Sequence, residues 1–130
     1  MSTIFSRIIN KDLPGFIIHE DDFNIAFLDI SPISYGHTLV VPKKEVDLIF
    51  DLNESSYSNL FLFAKKISFS IKKAVKCKRI GIAVVGLEVP HAHIHLVPLN
   101  KISDINFSKQ RLKIDNLELE KIRQLIKSKL

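Results

Sequence analysis

The hydrophobic period of the 130-residue chain changes several times, and each change marks an element. Ile4, Phe5, Ile8 and Ile9 recur at three- and four-residue steps, which predicts a short helix over Thr3 to Asn10, interrupted by Pro14-Gly15. Phe16 to Glu20 and Asn24 to Asp29 are short and rich in strand formers, and the polar Asp21-Asp22 between them suits a hairpin turn. Thr38 to Val41 predicts a third strand, stopped at Pro42, which has no amide to offer a sheet. Helical spacing returns from Glu54 to Lys76. There Leu60, Phe63, Ala64, Ile67, Ile71, Ala74 and Val75 form one apolar face, and Asn53 is placed to cap the first turn. Arg79 to Val85 and Ala92 to Leu99 predict two more strands. A polar connection, Asn100 to Asn116, then leads to a last helix over Leu117 to Lys129, opened by Asp115 and Glu118 at capping-box spacing. A hairpin, and a long helix between strand groups, predict a mainly antiparallel sheet in an α+β domain.

Composition narrows the class without naming a function. At 46% hydrophobic and 25% charged, the chain has the balance of an ordinary globular domain and enough apolar residues for a real core. Cys77 is the single cysteine, so neither an internal disulfide nor a four-thiolate metal site is available. The longest uncharged apolar stretch, Ile80 to Leu87, is far short of the roughly 18 residues of a membrane span, and no leader-like pattern opens the chain. A cytoplasmic protein without membrane contact is expected.

The net charge of +5 is unevenly spread. Lys65, Lys66, Lys72, Lys73, Lys76, Lys78 and Arg79 fall in one stretch that holds no acidic residue. Such a run suits a nucleic-acid backbone, yet neither an aromatic RNA-binding signature nor a glycine-rich phosphate loop accompanies it. A solvated helix face, with positive charge at the helix C-terminus where the dipole favours it, is sufficient to account for the run and is the preferred reading, with nucleic acid the less favoured partner.

Three of the five histidines stand at alternate positions in Pro90-His91-Ala92-His93-Ile94-His95-Leu96-Val97-Pro98. On a strand this spacing puts the imidazoles on one face and Ala92, Ile94 and Leu96 on the other. Two chemistries compete for such a row. Imidazoles bind transition metals, but the outer two would be about 13 Å apart at the backbone, too far to converge easily on one ion. Alternatively one imidazole, largely neutral at pH 7, attacks phosphorus while its neighbours donate to phosphoryl oxygens and the departing group.

The row resembles the His-x-His-x-His motif of the histidine triad (HIT) family, and the resemblance extends over Ile4 to Leu99. Phe5-Ser6-Arg7-Ile8-Ile9, Leu13-Pro14, Glu20-Asp21-Asp22, Ala26 to Pro32 and Gly36 to Lys44 follow the family's order. It implies a HIT domain over residues 1–100: a five-stranded antiparallel sheet with one long helix plus short terminal helices, paired into a homodimer with a continuous sheet. Residues 101–130 would be an extension whose helix packs on the same domain or on its partner. The implied activity is hydrolysis or transfer at the α-phosphate of a nucleoside phosphoramidate or dinucleoside polyphosphate, by a nucleotidyl-histidine intermediate, with release of a nucleoside monophosphate.

Residue by residue, His93 matches the nucleophile and His95 the contact to phosphate and leaving group. His91 and His37 match the supporting histidines, and Asp29 the carboxylate on the ribose hydroxyls. Ile4, Phe5, Ile8, Leu13, Phe27 and Ile30 match the apolar slot for a base, with a purine nucleotide such as AMP expected. No cofactor is required, and a Mg2+ could arrive bound with substrate. By the residues alone Asp29 is also a natural turn former before Ser31-Pro32, and His19 matches nothing and would be an exposed strand residue.

Two departures stand out. The family's polar, glycine-rich loop before the triad is replaced by the shorter, mostly apolar Val84-Val85-Gly86-Leu87-Glu88-Val89-Pro90, with a carboxylate near the usual phosphate donor. This leaves open a noncatalytic nucleotide-binding module. Some relatives also carry a zinc site starting with Cys-x-x-Cys, where this chain has Thr3-Ile4-Phe5-Ser6, so no metal site is expected.

Overall fold

In the computed structural model, which describes residues 3–130, the elements follow in the order α1 (Ile4–Ile9), β1 (Ile17–Glu20), β2 (Asn24–Leu28), β3 (Thr38–Pro42), α2 (Glu54–Ala74), β4 (Arg79–Ala83), β5 (Ile94–Leu99) and α3 (Asn116–Lys127). Met1 and Ser2, with which the expected domain begins, lie outside the described residues. Sequence spacing located every α-helix and strand to within two residues at its ends, but not the short 3-10 turns at Ile49–Asp51 and Ile102–Asp104. Each helix starts where a side chain satisfies a free amide: Thr3 accepts from Ser6 N, Asn53 from Ser56 N and Asp115 from Glu118 N.

All strands pair antiparallel in the order β1-β2-β3-β5-β4. Both faces are covered, which explains why every residue of β2 and β3 is buried. Ala26, Leu28, Val40, Ile94 and Leu96 point to the face under α2, where Leu60, Phe63, Ile67 and Ile71 meet them. Ile25, Phe27, Leu39 and Val41 point to the other face and pack with Phe5 and Ile8 of α1. α3 folds back on its own chain: Leu119, Ile122 and Ile126 join the cluster under α2.

Two expectations need correction. β5 begins at Ile94 instead of Ala92, because the Ala92 amide donates to Val46 O and the His91 carbonyl accepts from its neighbour's imidazole, so neither joins the sheet. His19 is not an exposed strand residue. β1 shifts register between Ile17 and His19, and this bulge turns His19 to the α2 side, where it stacks on Phe63 with centroids 5.7 Å apart.

Candidate active site

The sheet face opposite α2 carries a cavity of about 860 Å³, a size suited to a small organic ligand. Its floor is built by the alternation of β2, β3 and β5, which aims Phe27, Leu39 and His95 at it, and its apolar wall by α1 with Leu13. Asp29, Ile30, Phe27, Ile4, Phe5, Ile8 and Leu13 all line it, as do His93 and His95. The apolar members divide physically: Phe5, Ile8 and Phe27 are also core, whereas Ile4 and Ile30 are exposed and have no packing role that requires them to be apolar.

Four histidines are buried side by side, and their hydrogen bonds determine which nitrogen of each carries the proton. The His91 imidazole lies 2.8 Å from Pro42 O through Nε2, so Nε2–H donates and Nδ1 accepts from the Thr3 hydroxyl at 2.9 Å. His93 Nδ1 lies 2.7 Å from the His91 carbonyl and must donate to it, which leaves the Nε2 lone pair free. The Ile33 amide donates to His37 Nδ1 at 3.2 Å, so His37 Nε2–H donates to His95 Nδ1 at 2.9 Å, and His95 Nε2–H is left free. Two adjacent imidazoles, with ring centroids 4.8 Å apart, thus offer opposite functions: a lone pair on His93 and a donor on His95.

Burial keeps these rings neutral. Desolvation, then repulsion by neighbouring positive charge, pushes His37 and His95 down to about 3. His91 and His93 are also lowered by burial, partly offset by the carbonyl each ring N–H donates to. The approach of His37 Nδ1 to Asp29 Oδ2, 3.8 Å, is therefore not an ion pair. Gly36 sets His37 in place. It adopts φ +91°, and a Cβ there would come 2.8 Å from a Val75 methyl carbon.

Asp29 sits where the turn meets the cavity. Oδ1 accepts from the Ser31 amide at 2.8 Å, closing the turn before Pro32, while Asp29 also borders the cavity, and burial raises its pKa. Near the start of α1, Thr3 and Ser6 stand with Glu45 and His91: Ser6 Oγ and the Thr3 amide both donate to Glu45 Oε1, and Thr3 Oγ1 donates to His91. Two neutral hydroxyls and an imidazole nitrogen already engaged by one of them make a poor set for zinc, and the cluster instead ties α1 to the histidine row. Asp29, His37 and His95 also approach one another, but the facing nitrogens of the two imidazoles are spent on their mutual hydrogen bond. The lysine run is exposed on and beyond the outer face of α2 and none of it lines the cavity.

The HIT domain family model matches residues 10–102. An uncharacterized HIT-like protein of Borreliella burgdorferi is 37% identical over 129 residues, covering 94% of this chain and 91% of its own. The chain belongs to the HIT family. Adenosine 5'-monophosphoramidase of Schizosaccharomyces pombe is 31% identical over 75% of this chain and 74% of its own. Among solved structures, a Hit-like protein of Bartonella henselae described as involved in cell-cycle regulation superposes with a TM-score of 0.86 at 28% identity, covering 99% of this chain and 96% of its own.

Beyond the HIT motif, the cavity has a wall that motif reading missed. Phe107, Ser108 and Arg111 line it from the connection between β5 and α3. Phe107 meets His95 edge-on with centroids 4.7 Å apart, and the segment is held by Leu112 N donating to Pro32 O at 2.8 Å. A lone aromatic and a lone arginine between Asn100 and Asn116 were the available signal. No helix of the described residues is long and apolar enough to cross a membrane.

Proposed function

We propose that this protein is a nucleotidyl hydrolase that attacks the α-phosphate of a nucleoside phosphoramidate or dinucleoside polyphosphate with His93. The observation that carries the reading is the pair of opposite tautomers: an unengaged Nε2 lone pair on His93 beside an unengaged Nε2–H on His95, in one cavity with an apolar slot and a carboxylate. His93 Nε2 bonds to phosphorus as the bond to the leaving atom breaks, with its electron pair going to that atom. His95 Nε2–H hydrogen-bonds the phosphoryl or leaving atom, and the His91 carbonyl on Nδ1–H supports the positive charge that develops on His93. An oxygen leaving group departs as a phosphate anion, and a nitrogen one takes a proton from solvent. Water then attacks phosphorus, losing a proton to solvent, and the P–N pair returns to His93. The sequence similarity to a monophosphoramidase supports the reading, and a purine fits the slot between Ile4, Phe5 and Ile30, with the ribose toward Asp29.

Incubation with adenosine phosphoramidate should release AMP and, on alkaline quench, leave an adenylyl group on the peptide containing His93, read by mass spectrometry. An adduct elsewhere would remove the assignment. A second reading, a nucleotide-binding module that turns over too slowly to matter, is favoured by one observation: the loop from Val85 to Val89 brings no side-chain donor to the cavity. AMP binding without turnover would support it.

We further infer that a second copy of the chain covers the β4 edge. β4 ends the sheet with unpaired backbone groups, and Ile82 is 52% exposed there, with exposed Val84 and Val85 following it. Sedimentation should show a dimer, and Ile82→Lys a monomer. A monomeric wild type would refute the pairing.

A further inference from the structure

The four imidazoles are neutral, yet the substrate is anionic, so the position of permanent positive charge matters. Among the described residues lining the cavity, Arg111 is the single lysine or arginine. Its Nη1 donates to Ser31 O at 2.8 Å, which anchors the side chain. Its other partners are loose: Nη1 is 3.7 Å from Asp29 Oδ2, and Nη2 is 3.5 Å from Glu88 Oε1. A guanidinium closed on a carboxylate sits at about 2.7–2.9 Å and usually engages both oxygens. Of five N–H donors, Arg111 has committed one at that range.

Glu88 is no tight competitor. Its side chain is 80% exposed, so water screens the pairing and Glu88 can leave at little cost. The guanidinium also has a defined side of the site. Phe107 carries it, with the carbon of the guanidinium 5.9 Å from the ring centroid, and the same ring abuts His95. Arg111 therefore stands on the flank of His95, where the leaving group departs, and the opposite loop has only Glu88 as a charged side chain.

We propose that Arg111 is a substrate-binding residue that exchanges Glu88 for phosphate oxygens of the leaving group, making phosphate-bearing leaving groups the preferred class over amines. This rests on the nucleotidyl-transfer reading above. It also resolves the departure in the loop before the triad: the missing phosphate donors are replaced from the C-terminal connection, and Glu88 only stands beside the cation until substrate arrives. The chemistry agrees. A departing nucleoside polyphosphate is a stable anion that needs a cation and no proton, whereas an amine needs a proton that a neutral His95 is poorly suited to give.

The test compares a diadenosine polyphosphate with adenosine phosphoramidate as substrates for wild type, Arg111→Ala, Arg111→Lys and Glu88→Gln. Arg111→Ala should lose at least about 10-fold more kcat/KM on the polyphosphate than on the phosphoramidate, as expected for a lost charge-assisted contact. Arg111→Lys should fall between, keeping charge without the fork. Glu88→Gln should raise kcat/KM on the polyphosphate. If Arg111→Ala does not fold, the last two variants carry the test. Equal losses on both substrates, or a wild type that cleaves the phosphoramidate and ignores the polyphosphate, would overturn the role of Arg111 and leave the nucleotidyl-transfer reading intact. A wild type that cleaves neither and binds no AMP would overturn both.

Discussion

His93→Ala is expected to lower AMP release from adenosine phosphoramidate by about four orders of magnitude, because removing a covalent nucleophile leaves only binding and electrostatics. The cavity should persist, since Phe5, which meets this ring edge-on at 4.9 Å, is also packed against Phe27 at 5.5 Å, so AMP should still be bound. His95→Ala should cost less, about 10²-fold, the usual loss for one donor to a developing charge. The order of these effects follows from the hydrogen bonds. His93 Nδ1–H is held by the His91 carbonyl and its free nitrogen is a lone pair, whereas the free nitrogen of His95 bears hydrogen. Single-turnover measurement with each variant would decide it. Undiminished release by His93→Ala would sink the assignment, and a larger loss from His95→Ala would reverse the two roles.

How much of this was legible in the chain depends on the range of the interaction. Element identity and the histidine row are local: period, caps and the alternation of Ile94 and Leu96 with His93 and His95 are written within a few residues. The two misplacements have nonlocal causes. The Ala92 amide is taken by Val46, 46 positions earlier, and His19 is turned inward by a bulge that exists only because β1 is paired with β2. Tautomers were out of reach for the same reason, since the proton on His95 is decided by an amide at Ile33 acting through His37. Asp29 looked ambiguous between turn and site, and the ambiguity was physical, as it closes a turn while lining the cavity. Arg111 and Phe107 were missed because only the path of the C-terminal connection over the cavity gives them meaning.

Acid should destabilise the fold through its buried imidazoles. In the unfolded chain His37 and His95 take up protons near 6.5, but in the folded protein only near about 3, since burial of the rings penalises the charged form. Between these values the unfolded state binds more protons, so stability rises with pH. The contribution is present in full above about 6.5 and is lost as pH falls through the window toward 3. Each ring adds a slope of up to about 1.4 kcal/mol per pH unit, so from pH 7 to pH 5 the pair should remove on the order of 4 kcal/mol, a large share of a typical domain's stability. His91 and His93, also lowered, act in the same direction. The burial that raises Asp29 works against it, because a folded state that holds a proton more readily gains on acidification. Denaturant titrations at pH 7, 6 and 5 should show the fall, and His37→Gln should flatten it by about one proton's slope. A free energy of unfolding that stays level from pH 7 to 5 would mean that the rings are charged or solvated in the folded protein. In that case the His37–His95 hydrogen-bond chain, and the donor role drawn from it, would not hold.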